Sequence, residues 1–214
     1  MPTLLQLDSS ADLVSSRSRA VTGAFAEAWR ALGTDHTVTV RDLHVAPLPH
    51  LEDAALHWPA PLRPAGSVVS AEAEALQQEI LTELLAADVV LIGAPLYNYS
   101  MPSTLKAWID RIHVPGVTAP SDDPIQPLVG RPAVLVTARG GSYDAGSPTE
   151  GWDHAIPPLQ LILGTALGMD VRVITTSLTL AESMPVLADQ RPRAQAEFEA
   201  ALTDAAELAR ALGA

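Results

Sequence analysis

Apolar residues along the chain form five short runs, separated by longer stretches with a different spacing. The runs lie at residues 3–7, 37–41, 89–93, 132–137 and 171–176, and their length and β-branched content predict strands. The run at 89–93 carries no charge, which is typical of a strand covered on both faces. The pattern therefore predicts a five-stranded sheet with this third strand at its centre.

Between the runs, apolar residues recur at the spacing of amphipathic helices. The predicted helices cover residues 19–32, 71–86, 103–111, 151–167 and 189–212. Strands that alternate with helices pair in parallel through right-handed crossovers. The predicted fold class is therefore α/β: a three-layer sandwich around a five-stranded parallel sheet in the order 2-1-3-4-5.

The length of 214 residues suits a single domain over 1–214. Residues 42–70 lack periodicity and carry five prolines, which predicts a long surface excursion and not a linker between domains.

The proposed strand order brings three polar loops together. Strands 1, 3 and 4 are neighbours in this order, so the loops at their carboxyl ends, residues 9–18, 96–100 and 138–142, must meet at one edge of the sheet. Ligands of open α/β sheets bind at such an edge, and the three loops are rich in hydrogen-bonding and flexible residues. For the central one, an ordinary strand-loop-helix connection is the alternative interpretation.

The first loop has the composition of an anion site. Ser16, Arg17 and Ser18 stand at the entry to a helix, where free N–H groups and the helix dipole attract a phosphate, and Ser10 could add a hydroxyl. Simple N-capping by Ser16 or Ser18 is equally compatible with the sequence. The chain contains neither a Gly-x-Gly-x-x-Gly nor a Walker-type motif, so a single phosphate group fits better than a dinucleotide or triphosphate.

The other two loops indicate a flat ligand. Tyr97 and Tyr99, with Asn98 between them, offer surfaces for a planar ring, and Gly140 and Gly141 let backbone N–H groups approach a ligand closely. Such N–H groups could stabilise negative charge on a reduced ring. Together the loops predict a flat aromatic ring with one phosphate, which is the chemistry of FMN.

Composition excludes several other classes. The net charge of −12 argues against nucleic acid as a partner, and the lack of cysteine excludes disulfides, thiol nucleophiles and thiolate metal sites. Six scattered histidines have no helical metal-pair spacing, so no metal site is predicted. Asp122 and Asp123 are typical of solvated loop acids. No secretion signal or membrane span is recognisable, so the expected location is cytoplasmic, without membrane contact.

Several segments resemble one known family over nearly the whole chain. Residues 94–106 read Ala-Pro-Leu-Tyr-Asn-Tyr-Ser-Met-Pro-Ser-Thr-Leu-Lys, and residues 137–141 read Thr-Ala-Arg-Gly-Gly. With the serines of the first loop, Val-Arg-Asp-Leu at 40–43 and Gly-Val-Thr at 116–118, they resemble the FMN-dependent NADH-azoreductases, also called NADH:quinone oxidoreductases, of the flavodoxin-like superfamily.

The resemblance implies a flavodoxin-like FMN enzyme that takes two electrons from NADH or NADPH and passes them to a quinone, azo or related aromatic acceptor by a ping-pong mechanism. It implies a homodimer with the site at the interface, and no catalytic side chain, because the flavin carries the chemistry. The backbone N–H of Asn98 would meet flavin N5. The implied cofactor-binding residues are Ser10, Ser16, Arg17, Ser18, Pro95, Leu96, Tyr97, Asn98, Tyr99, Ala138, Arg139, Gly140 and Gly141.

The chain departs from the family pattern around the expected substrate space. Ala119 and Thr165 stand where the family has aromatic residues, and Tyr143 stands where a histidine is common. Ala138 replaces a serine and Arg17 a glutamine. With Tyr99, the residues Ala119, Tyr143 and Thr165 are the predicted substrate pocket, which should be roomier than usual and accept a bulkier acceptor.

Two alternatives remain open at the level of sequence. A flavodoxin-type electron carrier would bind FMN but meet a redox protein, although the excursion at 42–70 has no obvious use in a carrier. A non-redox FMN-binding protein would bind the cofactor without turnover.

Overall fold

The computed structural model describes residues 1–121 and 126–214. Its five strands are β1 (Thr3–Asp8), β2 (Thr37–Asp42), β3 (Val89–Gly93), β4 (Pro132–Ala138) and β5 (Asp170–Thr176). All neighbours pair in parallel, in the order β2-β1-β3-β4-β5. The predicted α/β class, the flavodoxin-like three-layer sandwich and the strand order are confirmed, and every residue of β3 is buried.

Helices cover both faces of the sheet. They are α1 (Arg17–Arg30), α2 (Ala71–Ala86), α3 (Ser103–Ile112), α4 (Ile156–Gln160) and α5 (Arg191–Gly213), and α4 continues as a π-helical segment, Leu161–Ala166. On one face α1 and α5 pack on the sheet around Phe25 and Trp29. On the other face α2, α3 and α4 enclose Trp108 and Leu135. The apolar alternation along β4 supplies both cores, which fixes its register.

The predicted start of the fourth helix, residue 151, is wrong. Gly151 has a positive φ of 79°, and the N–H of Trp152 donates to the Thr149 carbonyl in a turn. The helix begins at Ile156, because the Asp153 carboxylate accepts from its N–H at 3.0 Å, and prolines, which need no N–H partner in a first turn, follow. α1 also begins and ends two residues earlier than predicted, and α5 begins two residues later and ends one residue later.

The proline-rich segment 42–70 contains two short 3-10 helices, Ala54–His57 and Ala60–Leu62. Asp122 and Asp123, predicted as solvated acids, lie outside the described residues. Among the helices of residues 1–121 and 126–214, none has both the length and the apolar character needed to cross a bilayer. In the same ranges, no cluster of three or more His, Cys, Asp or Glu side chains is arranged to hold a metal ion.

Candidate functional site

A cleft of about 510 Å³ opens at the carboxyl edge of the sheet. Its size is in the range of small-molecule sites. The three loops predicted to meet all contribute to it, together with a fourth segment that follows β5. The lining residues are Ser10, Asp12, Ser15, Ser16, Arg17, Pro95, Leu96, Tyr97, Ala138, Gly140, Thr179, Leu180, Glu182 and Ser183.

The loop after β1 is held by its own side chains. The Ser9 hydroxyl donates to the Gly93 carbonyl at 2.6 Å, which joins this loop to the end of β3. The Asp12 carboxylate accepts from the N–H groups of Val14 and Ser15 and from the Ser15 hydroxyl, and these bonds lower the pKa of Asp12. The N–H groups of Val14 and Ser15 are therefore already bonded within the protein. An anion bound by this loop would use other donors.

The start of α1 supplies the free donors. Ser16 is the N-cap, because its hydroxyl accepts from the Arg19 N–H at 3.3 Å, while Ser18 is fully buried and lies 3.1 Å, hydroxyl to hydroxyl, from Ser16. In the described part of the chain, the backbone N–H groups of Arg17 and Ser18 have no acceptor, as is usual in a first helical turn. Capping and anion binding are thus compatible here, because Ser16 performs the first without occupying these N–H groups.

Arg17 borders the cleft, but its guanidinium is directed to α5. It donates to the Ala194 carbonyl at 2.7 Å, lies 3.9 Å from the Glu182 carboxylate, and stacks 5.0 Å above the Phe198 ring. Its role as the countercharge of a phosphate stays a prediction. Its contacts in the structure fasten the start of α1 to the last helix.

The loop after β3 is a tight turn with unusual backbone angles. Asn98 and Tyr99 have φ values of 47° and 68°, and Tyr97 and Ser100 exchange two backbone hydrogen bonds around them, of 2.9 and 3.0 Å. Left-handed residues other than glycine carry strain and are typical of functional sites. Within residues 1–121 and 126–214, the N–H of Asn98 has no acceptor, so it is available to a ligand.

Tyr97 and Tyr99 occupy different surroundings. The Tyr97 hydroxyl reaches the loop after β1, where it lies 3.1 Å from Ser10 Oγ and accepts from the Ala11 N–H at 3.0 Å. The Tyr99 ring stands edge-on to Trp152, with 5.4 Å between ring centroids, and its carbonyl accepts from the His154 N–H. Tyr97 therefore lines the cleft directly, while Tyr99 connects its rim to the segment before α4.

The loop after β4 presents two glycines in different environments. A Cβ on Gly140 would lie 2.9 Å from Leu180 Cδ1, whereas a Cβ on Gly141 would lie 4.0 Å from the Tyr143 ring. Neither glycine has a positive φ. In the described residues, the N–H groups of both have no acceptor. A side chain at position 140 would thus require Leu180 to shift, and both glycines keep donors free.

Arg139 has a structural partner beside this loop. Its guanidinium donates to the Asp153 carboxylate at 2.7 Å, and both side chains are mostly buried. The guanidinium also lies 5.9 Å from the Tyr143 ring, and burial raises the pKa of Tyr143. Arg139 therefore joins the loop after β4 to the cap of α4, and it does not line the cleft.

The predicted substrate-pocket residues lie in different surroundings. Ala119 is in the core with 2% exposure, and Thr165 is exposed on the π-helical segment. The cleft of about 510 Å³ is bordered by neither of these two residues, nor by Tyr99 or Tyr143. Their grouping around a shared substrate space stays a prediction.

Two parts of the site lie outside the residues predicted from the sequence. Residues 179–183 form one wall of the cleft, and since β5 is next to β4, the predicted strand order contained the signal for them. Arg19 was also missed: it lies behind the first loop, between Ser10 and Asp42, and no local motif marks it.

The sequence comparisons agree with this geometry. The model of the family described as having a flavodoxin-like fold matches residues 2–205. An FMN-dependent NADH:quinone oxidoreductase from Kineococcus radiotolerans is 60% identical over 212 residues, which cover 99% of this chain and 100% of that protein. The chain belongs to the FMN-dependent NADH:quinone oxidoreductase family. Another member, from Frankia casuarinae, is 42% identical over 94% of this chain and 98% of its own length.

Solved structures outside this close group share the fold. The crystal structure of an azoreductase from Bacillus anthracis superposes with a TM-score of 0.79 at 23% identity, over 98% of this chain and 99% of that one. The structure of an FMN-dependent NADH-azoreductase from Bacillus anthracis in complex with FMN gives 0.79 at 21% identity, over the whole of both chains. The family assignment made from the three loops is confirmed.

Proposed function

We propose that this protein is an FMN-dependent oxidoreductase that passes two electrons from NADH or NADPH to a quinone, azo or related aromatic acceptor. Free N–H donors and hydroxyls from separate loops line one cleft, and this observation supports the proposal most. Ser10 and Tyr97, which meet there, are 87 positions apart in the chain. The relatives from Kineococcus radiotolerans and Frankia casuarinae are named FMN-dependent NADH:quinone oxidoreductases.

The residues of the cleft fit FMN. The N–H group of Arg17 and the hydroxyls of Ser10 and Ser16 would hold the phosphate at the positive end of the α1 dipole. The fully buried Ser18 would support Ser16 through their hydroxyls, which lie 3.1 Å apart. Leu96 and the Tyr97 ring would border the flavin. A cleft of about 510 Å³ has room for a ligand of this class.

The bound flavin would supply reversible two-electron chemistry, and the protein would orient it. The N–H of Asn98, held in a strained turn, would donate to flavin N5, and the N–H groups of Gly140 and Gly141 would stabilise negative charge at the N1/O2 edge. No side chain is needed as an acid, base or nucleophile. Donor and acceptor would use the same face in turn, which gives ping-pong kinetics.

The acceptor space would be roomier than in typical members. Ala119 has a small side chain buried in the core, and Thr165 stands exposed on the π-helical segment, so neither provides an aromatic wall. Steady-state rates with a size series of quinones and azo dyes test this. Retained rates with the larger acceptors support it, and rates with small acceptors only would contradict it.

We also propose a homodimer with the site completed at the interface. Two largely apolar depressions, of about 390 and 330 Å³, lie over α3 and α4 and share Met101, Lys106, Asp110 and Pro158. Two large apolar residues next in the chain to the lining of the second depression are exposed: Leu161, which precedes Ile162, is 63% exposed, and Trp58, which follows His57, is 44% exposed. Sedimentation equilibrium is expected to give twice the chain mass of 22.5 kDa; a monomer at micromolar concentration would contradict the dimer.

Because its donor is a metabolite of the cell interior, we place the enzyme in the cytoplasm.

Anaerobic spectroscopy tests the central function. Purified protein supplied with FMN is expected to show the visible bands of oxidised flavin, to bleach on addition of NADH or NADPH, and to recover on addition of a quinone. Bound flavin that neither nicotinamide reduces would indicate a carrier or a non-redox protein. Absence of flavin binding would contradict the proposal altogether.

A further inference from the structure

The guanidinium of Arg19 lies directly behind the first loop of the cleft. Its Nε and Nη2 donate to the Ser10 carbonyl at 3.2 and 2.7 Å. Its Nη1 and Nη2 donate to the two Asp42 oxygens at 2.6 and 2.9 Å, a bidentate ion pair. One guanidinium therefore joins the carboxyl ends of β1 and β2 through the loop's backbone.

Asp42 is a fixed support for this arginine. It ends β2, and one of its oxygens also accepts from the N–H groups of His44 and Val45, each at 3.0 Å. The side chains of Arg19 and Asp42 are only 18% and 25% exposed. Hydrogen bonding to Arg19 lowers the pKa of Asp42 to about 2, so the carboxylate is charged at every physiological pH.

The held carbonyl determines how the Ser10 peptide is presented. Arg19 holds the carbonyl oxygen of the Ser10–Ala11 peptide. The N–H of the same peptide, that of Ala11, donates to the Tyr97 hydroxyl, and the Ser10 hydroxyl lies 3.1 Å from that same hydroxyl. Both Ser10 and Tyr97 line the cleft. A peptide free to rotate would lose this arrangement. Arg19 is not among the residues that line the cleft, and its guanidinium is occupied by the Ser10 carbonyl and the Asp42 carboxylate.

We propose that Arg19, supported by Asp42, is a positioning residue that sets the cleft's preference for a phosphorylated flavin over an unphosphorylated one. The proposal rests on FMN binding as proposed above. Arg17 is the more obvious cation, but its guanidinium is engaged with Ala194 and Phe198 on α5. Arg19 therefore sets the preference indirectly, through the backbone of Ser10.

The test compares the dissociation constants of FMN and riboflavin, which differ only in the phosphate. Flavin fluorescence titrations are made with the wild type, Arg19→Gln and Arg19→Lys. Arg30→Gln, at the exposed end of the same helix, is the matched control. Riboflavin affinity reports whether the rest of the cleft is intact, so a loss limited to FMN cannot be attributed to general damage.

In Arg19→Gln, FMN is expected to bind about tenfold more weakly, while riboflavin, which is affected only through the contact of Tyr97 with this loop, should weaken by about threefold at most. Lysine keeps the charge but cannot form the planar bidentate pair with Asp42, so Arg19→Lys should give an intermediate loss. Arg30→Gln should match the wild type.

The proposal is overturned if Arg19→Gln keeps the FMN-to-riboflavin preference of the wild type, whether both affinities are unchanged or both are weakened equally. If the wild type binds neither flavin, the proposed function itself fails. That outcome differs from the other two, in which the wild type still prefers FMN.

Discussion

The hydroxyl of Tyr97 lies 3.1 Å from the hydroxyl of Ser10, although the two residues are 87 positions apart in the chain. Tyr97 follows the central strand β3 and Ser10 follows its neighbour β1, so this contact joins two of the three loops predicted to form the site. The same phenol accepts from the Ala11 N–H at 3.0 Å. The position of the aromatic wall and that of the phosphate loop are therefore coupled.

Replacement of Tyr97 by phenylalanine should loosen this coupling. Loss of the hydroxyl leaves the Ala11 N–H without its acceptor, and a hydrogen bond of this kind contributes about 1 kcal/mol. FMN affinity, measured by fluorescence titration, should fall roughly three- to tenfold. The control is Tyr99→Phe, since the Tyr99 hydroxyl has no hydrogen-bond partner in the described residues. Equal effects of both substitutions would contradict the account.

The N-cap of α1 should serve stability and binding together. Ser16→Ala removes the acceptor of the Arg19 N–H, which should lower the free energy of unfolding by about 1 kcal/mol. Ser70→Ala removes the equivalent cap of α2, away from the cleft, and should cost a similar amount. Urea denaturation measures both, and only Ser16→Ala should also weaken FMN binding. Weakened binding in Ser70→Ala as well would show that the effect is general destabilisation.

The two glycines after β4 should respond differently to alanine. In Gly140→Ala the new methyl group must shift the Leu180 side chain, which lines the cleft, so FMN affinity should fall. Stability should change by less than about 1 kcal/mol, because Leu180 is 44% exposed and can move. In Gly141→Ala the nearest atom is 4.0 Å away, which is ordinary contact, and both properties should stay close to those of the wild type. Isothermal titration and urea melts decide this, and the reverse order of sensitivity would refute it.

Stability at acid pH should depend on Asp42. Its folded pKa of about 2 lies below the ordinary value of 3.8, so its ionisation favours the folded state above the ordinary pKa. This contribution, about 2 kcal/mol, is lost as the pH falls through the folded pKa. The difference in unfolding free energy between wild type and Asp42→Asn should therefore be largest near pH 6 and shrink to roughly half by pH 3. A difference that does not vary with pH would rule out this ionisation as its source.

The fold was predictable because its signals are local and repeated. The uncharged run at 89–93 indicated a covered strand, and its position between β1 and β4 followed from the common doubly-wound strand order 2-1-3-4-5. The convergence of Ser10, Tyr97 and Gly140 on one cleft followed in turn from the strand order. The error at the start of α4 arose because Trp152 and Asp153 continue a helical spacing, whereas Gly151 imposes a turn.

Side-chain partners were not predictable in the same way. The spacing of residues shows that Arg17 and Arg19 both stand at the start of α1, but not that Arg17 turns to α5 while Arg19 turns to Ser10 and Asp42. These choices depend on which acceptors the packed elements leave within reach. A pattern along one segment contains no information about an acceptor on another.

The most direct test of the account is a crystal structure of the protein with FMN. The account predicts the phosphate at the start of α1, bonded to the N–H group of Arg17. It predicts the ring bordered by Leu96, Tyr97 and Gly140, with the Asn98 N–H at flavin N5. An FMN molecule bound away from this cleft, or a phosphate placed elsewhere than the first turn of α1, would contradict it.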